Sequence, residues 1–291
     1  MTEGSRQFKS VWTSLYATEF RQRWIDAGGL RTRLIEAGSP DRPPLIFLHG
    51  TAGSWENFAL NIAEHAKYFH CFAFDMIGSG LTDKPDYDYE TQHYVKHLAD
   101  FMDVMKINRA SIIGVSLGAR VASRFAIDHP KRVNKLILLS ATGYFPARQV
   151  QKDIGASRSA AAANPTWDNV RDVLQDLVHD KASLVDDLIA VRLAIYRQPE
   201  MKKAMKHILA LLDPDVYNRN RITEDDWRRL AAPTMIIASV DHDDVFLETS
   251  RVISKLIPNA SVVEMKATNH WPQLENPEGF NARSLAFLQA T

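Results

Sequence analysis

The chain has 291 residues, of which 45% are hydrophobic and 24% are charged, and its 35 Lys and Arg balance its 35 Asp and Glu. This length permits one large α/β domain or two smaller ones with a substantial core. A balanced charge gives no overall field that would attract nucleic acid or an anionic membrane, so the bulk values argue against both kinds of partner.

Cysteine content and the N-terminal segment predict the compartment. Cys71 is the single cysteine of the chain, so an internal disulfide cannot form, and this fits a reducing environment. Charged and polar residues occur throughout residues 1–20, and the apolar region of a secretory signal is missing. No apolar run approaches the roughly 18 residues of a membrane span. We therefore expect a cytoplasmic protein, and the sequence leaves a homo-oligomer open.

The first element that the sequence predicts is an antiparallel hairpin. Residues 23–38 read RWIDAGGLRTRLIEAG, with alternating apolar and polar positions on both sides of Gly28 and Gly29. Two glycines between alternating segments are typical of a tight hairpin turn. We expect this hairpin to form the leading edge of the sheet.

Short apolar runs then alternate with helical patterns, as in a mostly parallel sheet with helices on its faces. The fold class that this order predicts is α/β. The six further strands that we predict begin at Leu45, Cys71, Ser111, Lys135, Thr234 and Ser261.

Strand patterns disappear between Ser140 and Thr234, where residues 167–180 and 183–199 show helical runs instead. Ordinary crossover helices are one interpretation, but a crossover between neighbouring strands needs far fewer residues. We predict an inserted helical cap over residues 144–231. The core domain would then comprise residues 1–143 and 232–291.

A serine lies at the junction of a predicted strand and a predicted helix. The strand ends at Val115, the helix begins near Leu117, and Ser116 stands between them. Gly114 and Gly118 leave room for a crowded strand-to-helix turn, which would expose the hydroxyl beside unpaired helix N–H groups. A serine between small residues is also common in turns and helix caps. The strand-turn-helix context favours the G-x-S-x-G nucleophile elbow.

A serine nucleophile needs a base and a group that orients this base. In the order typical of such elbows, an acid follows the serine and a histidine comes last. Asp241, Asp243 and Asp244 follow the strand predicted at Thr234, and His270 follows the last strand.

Each of these residues has an alternative interpretation. The aspartates could form a solvated turn or bind a hard cation, and the histidine could lie on the surface. We predict His270 as the base, since ligand-facing residues lie just beyond strands in open α/β sheets. Asp243 is the predicted acid, because a few residues are needed to bring a carboxylate back over the sheet edge. Asp244 is its close alternative.

Two backbone N–H groups should stabilise the oxyanion, one after the nucleophile and one after an earlier strand. We predict the N–H groups of Leu117 and of Thr51, which follows the strand end at His49 and Gly50. A flexible turn is the alternative for this loop, which has no phosphate-binding glycine spacing. Trp271 is predicted either in the pocket wall or in the core.

A pair of histidines, His93 and His97, has the i, i+4 spacing of metal ligands. The glutamate of a zinc-protease helix is missing between them, and no third ligand is evident. We therefore predict that both lie on the surface of an amphipathic helix, and we expect neither a metal nor an organic cofactor.

Four segments together resemble the α/β-hydrolase superfamily over nearly the whole chain: HGTAGSW, FDMIGSGLTDKP, GVSLGA and NHWPQLENPEGFNARSLAFL. Within it, the chain is similar to the meta-cleavage-product hydrolases, which split carbon–carbon bonds in vinylogous diketones formed during aromatic degradation. His270 is followed by WPQLE, similar to that group's His-Trp-x-Gln-x-Glu, and the cap segment is similar to theirs. Arg192 falls where they place an arginine that contacts the polar end of the substrate.

Three positions depart from that group's pattern. Val115 stands where those enzymes usually carry asparagine, Asn269 replaces a common glycine, and the loop after Gly50 is shorter and less glycine-rich.

The resemblance implies an α/β-hydrolase fold and a Ser-His-Asp hydrolase of a small carbonyl compound. The reaction that it implies is hydrolytic cleavage of a 2-hydroxy-6-oxo-dienoate, with Arg192, Trp271 and Gly50 at the substrate. The alternatives are a carboxylesterase or lactonase with the same triad, and a ligand receptor on the same fold.

Overall fold

One eight-stranded sheet forms the centre of the computed structural model, which describes residues 10–290. Residues 1–9 and 291, which belong to the predicted core domain, lie outside the described part. The strands are β1 (Phe20–Ala27), β2 (Leu30–Ala37), β3 (Pro44–Leu48), β4 (His70–Phe74), β5 (Ala110–Val115), β6 (Val133–Leu139), β7 (Thr234–Ser239) and β8 (Ala260–Met265). Their order across the sheet is β1-β2-β4-β3-β5-β6-β7-β8.

The predicted hairpin is observed at the edge of this sheet. β1 pairs antiparallel with β2, and Ala27 lies opposite Leu30. The two glycines between them have φ angles of 65° and 87°, which side chains other than glycine rarely adopt. β2 continues antiparallel against β4, and the remaining neighbours are parallel.

The central strands are apolar because both of their faces are covered. All six residues of β5 are buried, and the last four residues of β3 and of β6 are buried as well. Parallel strands under helices on both faces typically read as continuous apolar runs. This explains why the six predicted strands agree with the observed ones to within two residues at their starts.

Helices cover both faces of the sheet and fill the segment between β6 and β7. The α-helices of residues 10–290 are α1 (Trp12–Leu15), α2 (Ala59–Ala66), α3 (Thr91–Val104), α4 (Leu117–Asp128), α5 (Gln149–Ala163), α6 (Trp167–Gln175), α7 (Asp186–Tyr196), α8 (Met201–Leu209), α9 (Pro214–Arg219), α10 (Glu224–Arg229), α11 (Val245–Leu256), α12 (Pro272–Glu275) and α13 (Pro277–Gln289). Short 3₁₀ helices occupy Trp55–Phe58, Pro130–Arg132, Lys181–Ser183 and Ala210–Leu212. None of the described helices combines the length and apolar character that crossing a membrane requires.

The region predicted as a cap is entirely helical where it has regular structure. α5 packs against α6 and α8, and α6 packs against α7. α10, the last helix before β7, packs instead against α4 and α11 beside the sheet. The domain boundaries at 144 and 231 stay a prediction.

The prediction that His97 lies on the surface is wrong. Its side chain is 1% exposed, with Nε2 2.8 Å from the Thr32 hydroxyl oxygen, and Nδ1 accepts the Ile77 N–H at 2.9 Å. Burial lowers the pKa of His97 to about 3. The reason is that this face of α3 packs on the sheet, against the Phe74 ring. His93 is half-buried and its Nδ1 accepts the Glu90 N–H.

Candidate active site

Ser116 occupies the turn between β5 and α4 with φ 56° and ψ −113°. The turn is crowded by backbone: a Cβ on Gly118 would lie 2.1 Å from the Leu48 carbonyl oxygen, and one on Gly114 would lie 2.4 Å from the Gly118 carbonyl oxygen. Both positions therefore require glycine, as the sequence predicts. The strained serine is the local geometry of a nucleophile elbow.

A cavity of about 700 Å³ lies over this turn. Core residues Ser116, Leu117, Thr51 and His270 line it together, and α5 contributes side chains from the opposite side. Its volume is that of a typical small-molecule site. The fold thus brings five of the predicted site residues to one cavity, because Asp243 lines it as well.

His270 is buried, and its backbone is held from two directions. Its N–H donates to the Leu177 carbonyl at 3.1 Å, and its carbonyl accepts the Ser140 hydroxyl at 2.9 Å. The ring packs edge-to-face on Phe246. Burial and the positive charge of Arg158 lower the pKa of His270 to about 3. The imidazole is therefore neutral near pH 7, which is the form that can accept a proton.

Asp243 lines the same cavity as His270, but no hydrogen bond joins the two side chains among the described residues. The Asp243 side chain is 85% exposed and pairs with Arg251 at 3.3 Å. Asp244 is half-buried, accepts the N–H groups of Phe246 and Leu247 at 2.9 Å, and so caps α11. Burial raises the pKa of Asp244. The unpaired N–H groups of α11 attract the second aspartate and leave the first directed to solvent.

Asp244 and His270 share the boundary of a small void of about 10 Å³. In the described part of the chain, the His270 ring makes no hydrogen bond with either aspartate or with Ser116. Asp241, the third acidic candidate, accepts the Ala267 N–H. The acid that lies beside His270 is therefore Asp244, which the sequence analysis gives as the alternative to Asp243.

The two predicted oxyanion donors border the same cavity as Ser116. Leu117 is the first residue of α4, so its N–H has no acceptor within the helix. Thr51 lies in a turn closed by a 3.0 Å hydrogen bond from the Gly53 N–H to the Gly50 carbonyl. A Cβ on Gly50 would lie 3.5 Å from the Ser116 Cβ, so this turn and the elbow are in contact.

His49 stabilises the turn that contains Gly50 and Thr51, a role that the sequence analysis missed. It is fully buried, and its Nε2 accepts the Met76 N–H at 2.9 Å. Nδ1 is therefore the protonated nitrogen and donates to the Gly50 carbonyl at 2.7 Å. Burial lowers the pKa of His49 to about 4. A histidine at the end of a buried strand, directly before glycine, was the available signal.

A family model described as the alpha/beta hydrolase fold matches residues 43–277. The chain belongs to this family. The predicted α/β-hydrolase fold is confirmed.

Relatives of this alpha/beta hydrolase share its length as well as its fold. The chain is 26% identical over 273 residues to 2-hydroxy-6-oxo-2,4-heptadienoate hydrolase of Pseudomonas putida, covering 92% of this chain and 96% of that protein. It is 27% identical over 277 residues to 2-hydroxy-6-oxo-6-(2'-aminophenyl)hexa-2,4-dienoic acid hydrolase of Metapseudomonas resinovorans, covering 92% and 90%. A solved structure of a variant of the meta-cleavage product hydrolase CumD from Pseudomonas fluorescens IP01 superposes with a TM-score of 0.78 at 25% identity, covering 91% of this chain and 97% of that chain.

Arg192 of the hydrolase lies beside the cavity rather than in its lining. The side chain is 5% exposed, and its single hydrogen bond to a described residue is a long one of 3.5 Å to the Asn57 amide oxygen. Its Nε has no partner among residues 10–290. Trp271 is 4% exposed and does not line the cavity. Its predicted place in the pocket wall is not observed, and it packs in the core.

Two further arginines of the hydrolase line the cavity, and the sequence analysis missed both: Arg120 and Arg158. Arg120 could have been found, because it follows Ser116 by four residues and so lies on the same side of the helix that begins there. Nothing in the sequence pattern singled out Arg158.

The arrangement suits attack on a carbonyl group. A hydroxyl, a neutral imidazole and two N–H groups meet at one cavity, which is the set of parts needed for nucleophilic attack and oxyanion stabilisation. Among residues 10–290, no group of three or more His, Cys, Asp or Glu side chains is arranged to hold a metal ion.

Proposed function

We propose that this hydrolase cleaves a carbon–carbon bond of a 2-hydroxy-6-oxo-dienoate. The observation that carries the proposal is the pairing of a serine elbow with a buried arginine, Arg192, that forms no ion pair with any of residues 10–290. Within this range Arg192 makes one long hydrogen bond to a neutral amide, although burying a charge without a counter-charge is costly. A substrate carboxylate would supply that counter-charge. The names of the relatives describe substrates of this kind.

In the proposed reaction, His270 takes the proton of Ser116 or of a water, and the oxygen attacks the 6-oxo carbonyl. The N–H groups of Thr51 and Leu117 stabilise the resulting oxyanion. Ketonisation of the dienol beforehand lets the electron pair of the breaking bond delocalise into the leaving fragment, which then takes up a proton. Water completes the new carboxylic acid on the other fragment, so one water is consumed for each bond broken.

We propose Asp244, in place of Asp243, as the acid that orients His270. The support is its partial burial and the void that it shares with His270. Asn is as good a helix cap as Asp, so Asp244→Asn preserves the start of α11 while it removes the charge. We expect kcat to fall by about 10⁴-fold, as when other serine triads lose this charge.

Asp243→Asn is the matched control, and it should leave kcat within about threefold, since an exposed pair contributes little. Steady-state kinetics of both variants at equal folded concentration measures the difference. The reverse pattern would return the role to Asp243.

The main test compares kcat/KM for 2-hydroxy-6-oxohepta-2,4-dienoate with that for a short-chain nitrophenyl ester. The wild type should prefer the dienoate, and Ser116→Ala should lose at least about 10³-fold. Arg192→Met should lower dienoate turnover far more than ester turnover, because the ester has no carboxylate to bind.

Other outcomes of this test would contradict the proposal. Preference for the ester, unaffected by Arg192→Met, would identify a carboxylesterase or lactonase. Binding of the dienoate without turnover would identify a ligand receptor.

A cytoplasmic location is part of the proposal. It is supported by the single cysteine, Cys71, which is buried in β4. Burial raises the pKa of the Cys71 thiol, so it has little thiolate character and little reactivity. Such a chain is suited to a reducing compartment.

A further inference from the structure

His207, on α8 of the predicted cap, lies between two carboxylates of the loop that joins β4 to α3. Its Nδ1 is 2.8 Å from Oδ1 of Asp88, and its Nε2 is 2.9 Å from Oδ1 of Asp86. The histidine is 9% exposed. One side chain therefore connects α8 to a loop that leaves the central sheet.

This geometry requires a proton on each ring nitrogen. A neutral imidazole has one N–H donor and one nitrogen that can only accept, and an ionised carboxylate can only accept as well. The two carboxylates are mostly exposed, at 66% for Asp86 and 57% for Asp88, so water stabilises their ionised forms. Hydrogen bonds from Lys203 and His207 also lower the pKa of Asp86. Both contacts can therefore exist together only while His207 is an imidazolium.

The other groups around the ring do not replace these contacts. Lys203, on the same helix, also pairs with Asp86, and a lysine keeps its charge well above the pH at which a histidine loses its proton. The ring of Tyr89 is centred 5.9 Å from that of the histidine, and burial raises the pKa of Tyr89, so it is uncharged. In the described part of the chain, Asp88 has no ion-pair partner besides His207. The helices α5 and α7, which also pack against α8, contribute no described charged side chain to the ring.

Loss of one proton from His207 removes one of its two contacts. A bare ring nitrogen then faces a carboxylate oxygen, and two acceptors at hydrogen-bond distance repel each other. Histidine is the side chain whose ordinary pKa lies closest to physiological pH. A moderate rise in pH can therefore weaken the attachment of α8 to the loop.

The attachment of α8 affects the site because this helix forms part of the cavity wall. Ile208, the residue after His207, lines the cavity over Ser116. The backbone joins the same two segments, since the Tyr89 N–H donates to the His207 carbonyl at 3.2 Å. Side chain and backbone of one residue thus fix this part of the wall to the loop, and the Tyr89 amide reports whether the contact is closed.

We propose that His207 is a pH-dependent latch between the predicted cap and the core. When it is protonated, it binds Asp86 and Asp88 and holds α8 against the loop after β4. When it loses a proton, α8 separates from this loop more often, and the cavity wall is held less firmly. The latch depends on no particular substrate, so it can be tested whether or not the proposed function is correct.

Hydrogen exchange of the Tyr89 amide, followed by NMR, measures the opening of this contact. After correction for the intrinsic effect of pH on exchange, its protection in the wild type should fall by about threefold to tenfold from pH 6 to pH 8.5, the scale of one or two ion pairs near the surface. His207→Gln removes the titrating group and should abolish this decrease. His129→Gln is the control, because the His129 ring packs on Phe125 and forms no ion pair with a described residue, and it should retain the decrease.

Asp88→Asn separates a latch from a purely structural contact. An asparagine amide has both an acceptor and donors, so it can bind the ring whether or not the facing nitrogen carries a proton. Protection of the Tyr89 amide in this variant should stay within about threefold of the wild-type value at pH 6, because an exposed ion pair contributes little, and most of the decrease towards pH 8.5 should disappear. A contact that does not depend on the charge of the histidine would leave the decrease unchanged.

Two results would overturn the inference. Protection of the Tyr89 amide that is independent of pH in the wild type would show that the proton on His207 does not hold α8. A decrease that persists in both His207→Gln and Asp88→Asn would assign the pH dependence to another group. Thermal unfolding shows whether each variant folds, and Asp88→Asn decides if His207→Gln does not.

Discussion

Two regions of the molecule bury arginine in opposite ways. Arg33, on β2, is 4% exposed and pairs with Asp75 at 2.6 Å and with Glu56 at 3.0 Å. The arginines at and beside the cavity, Arg120, Arg158 and Arg192, are equally buried and form no ion pair with a described residue. Burial alone thus does not distinguish an arginine that is neutralised within the chain from one that is left for a substrate, as we propose for Arg192. The difference between the two regions is the presence of a carboxylate of the chain itself.

The ion pairs of Arg33 with Asp75 and Glu56 explain how the site is positioned. Asp75 is fully buried and also accepts the N–H groups of Trp55 at 2.9 Å and Leu81 at 2.8 Å. Trp55 begins the short helix that contains Asn57 and Glu56. The ion cluster therefore connects β2, the loop after β4 and the loop after β3, and it fixes the segment against which Arg192 rests.

The largest effect on stability should come from removing the charge of Arg33, which pairs with Asp75 and Glu56. Arg33→Met leaves two buried carboxylates without their counter-charge, so we expect the free energy of unfolding to fall by about 3–5 kcal/mol. Urea unfolding measures this change. Arg23→Met removes a more exposed pair with Glu36 and should cost below about 1 kcal/mol. Equal losses in the two variants would mean that burial does not distinguish the pairs.

A basic side chain can also be buried in its neutral form, and His65 is an example. The ring is fully buried between the Asn61 carbonyl and the Ser284 hydroxyl, and burial lowers the pKa of His65 to about 4. The unfolded chain binds this proton near pH 6.5 and the folded chain does not, so stability falls as pH decreases from about 6.5 to 4.

His65→Gln should flatten the pH dependence of the unfolding free energy over this range by about 1.4 kcal/mol per pH unit. Urea unfolding of the variant and the wild type at several pH values measures the two slopes. Parallel curves would show that His65 is charged in the folded protein.

A smaller effect is expected at His270, the proposed base, when the charge of Arg158 is removed. The charge of Arg158 is the second cause, after burial, of the low pKa of His270. Arg158→Met should therefore raise this pKa while leaving it below the ordinary value. It should change the free energy of unfolding by less than about 1 kcal/mol, because Asp176, the carboxylate that attracts Arg158, is exposed. NMR titration of the His270 ring measures the shift. A lower pKa in the variant would contradict the placement of Arg158 beside His270.

The sheet could be predicted closely from the sequence because its signals are local. The apolar run before Ser116 is buried on both faces, and the Gly28-Gly29 turn requires glycine conformations. The elbow could be predicted for the same reason, since its two glycines are needed by backbone contacts within a few residues and with one neighbouring strand.

The acid and the cavity arginines depend on features that no local pattern contains. Asp243 and Asp244 are adjacent, and the first turn of α11 decides which side chain turns inward. Arg158 lies on α5, an alanine-rich helix whose residues do not form a clear apolar stripe, so its packed face could not be read from periodicity. The burial of His97 could not be predicted, because polar residues of an amphipathic helix usually lie on its exposed face.

Ser116 has a positive φ, so stability of the fold and the proposed chemistry make opposite demands on this residue. Conformations of this kind cost a residue with a side chain about 1–3 kcal/mol, and glycine is largely free of that cost. A glycine at position 116 would relieve this cost and remove the hydroxyl, so stability of the fold alone gives no reason for a serine there. The strain therefore has a physical rationale only in the chemistry that we propose for the hydroxyl.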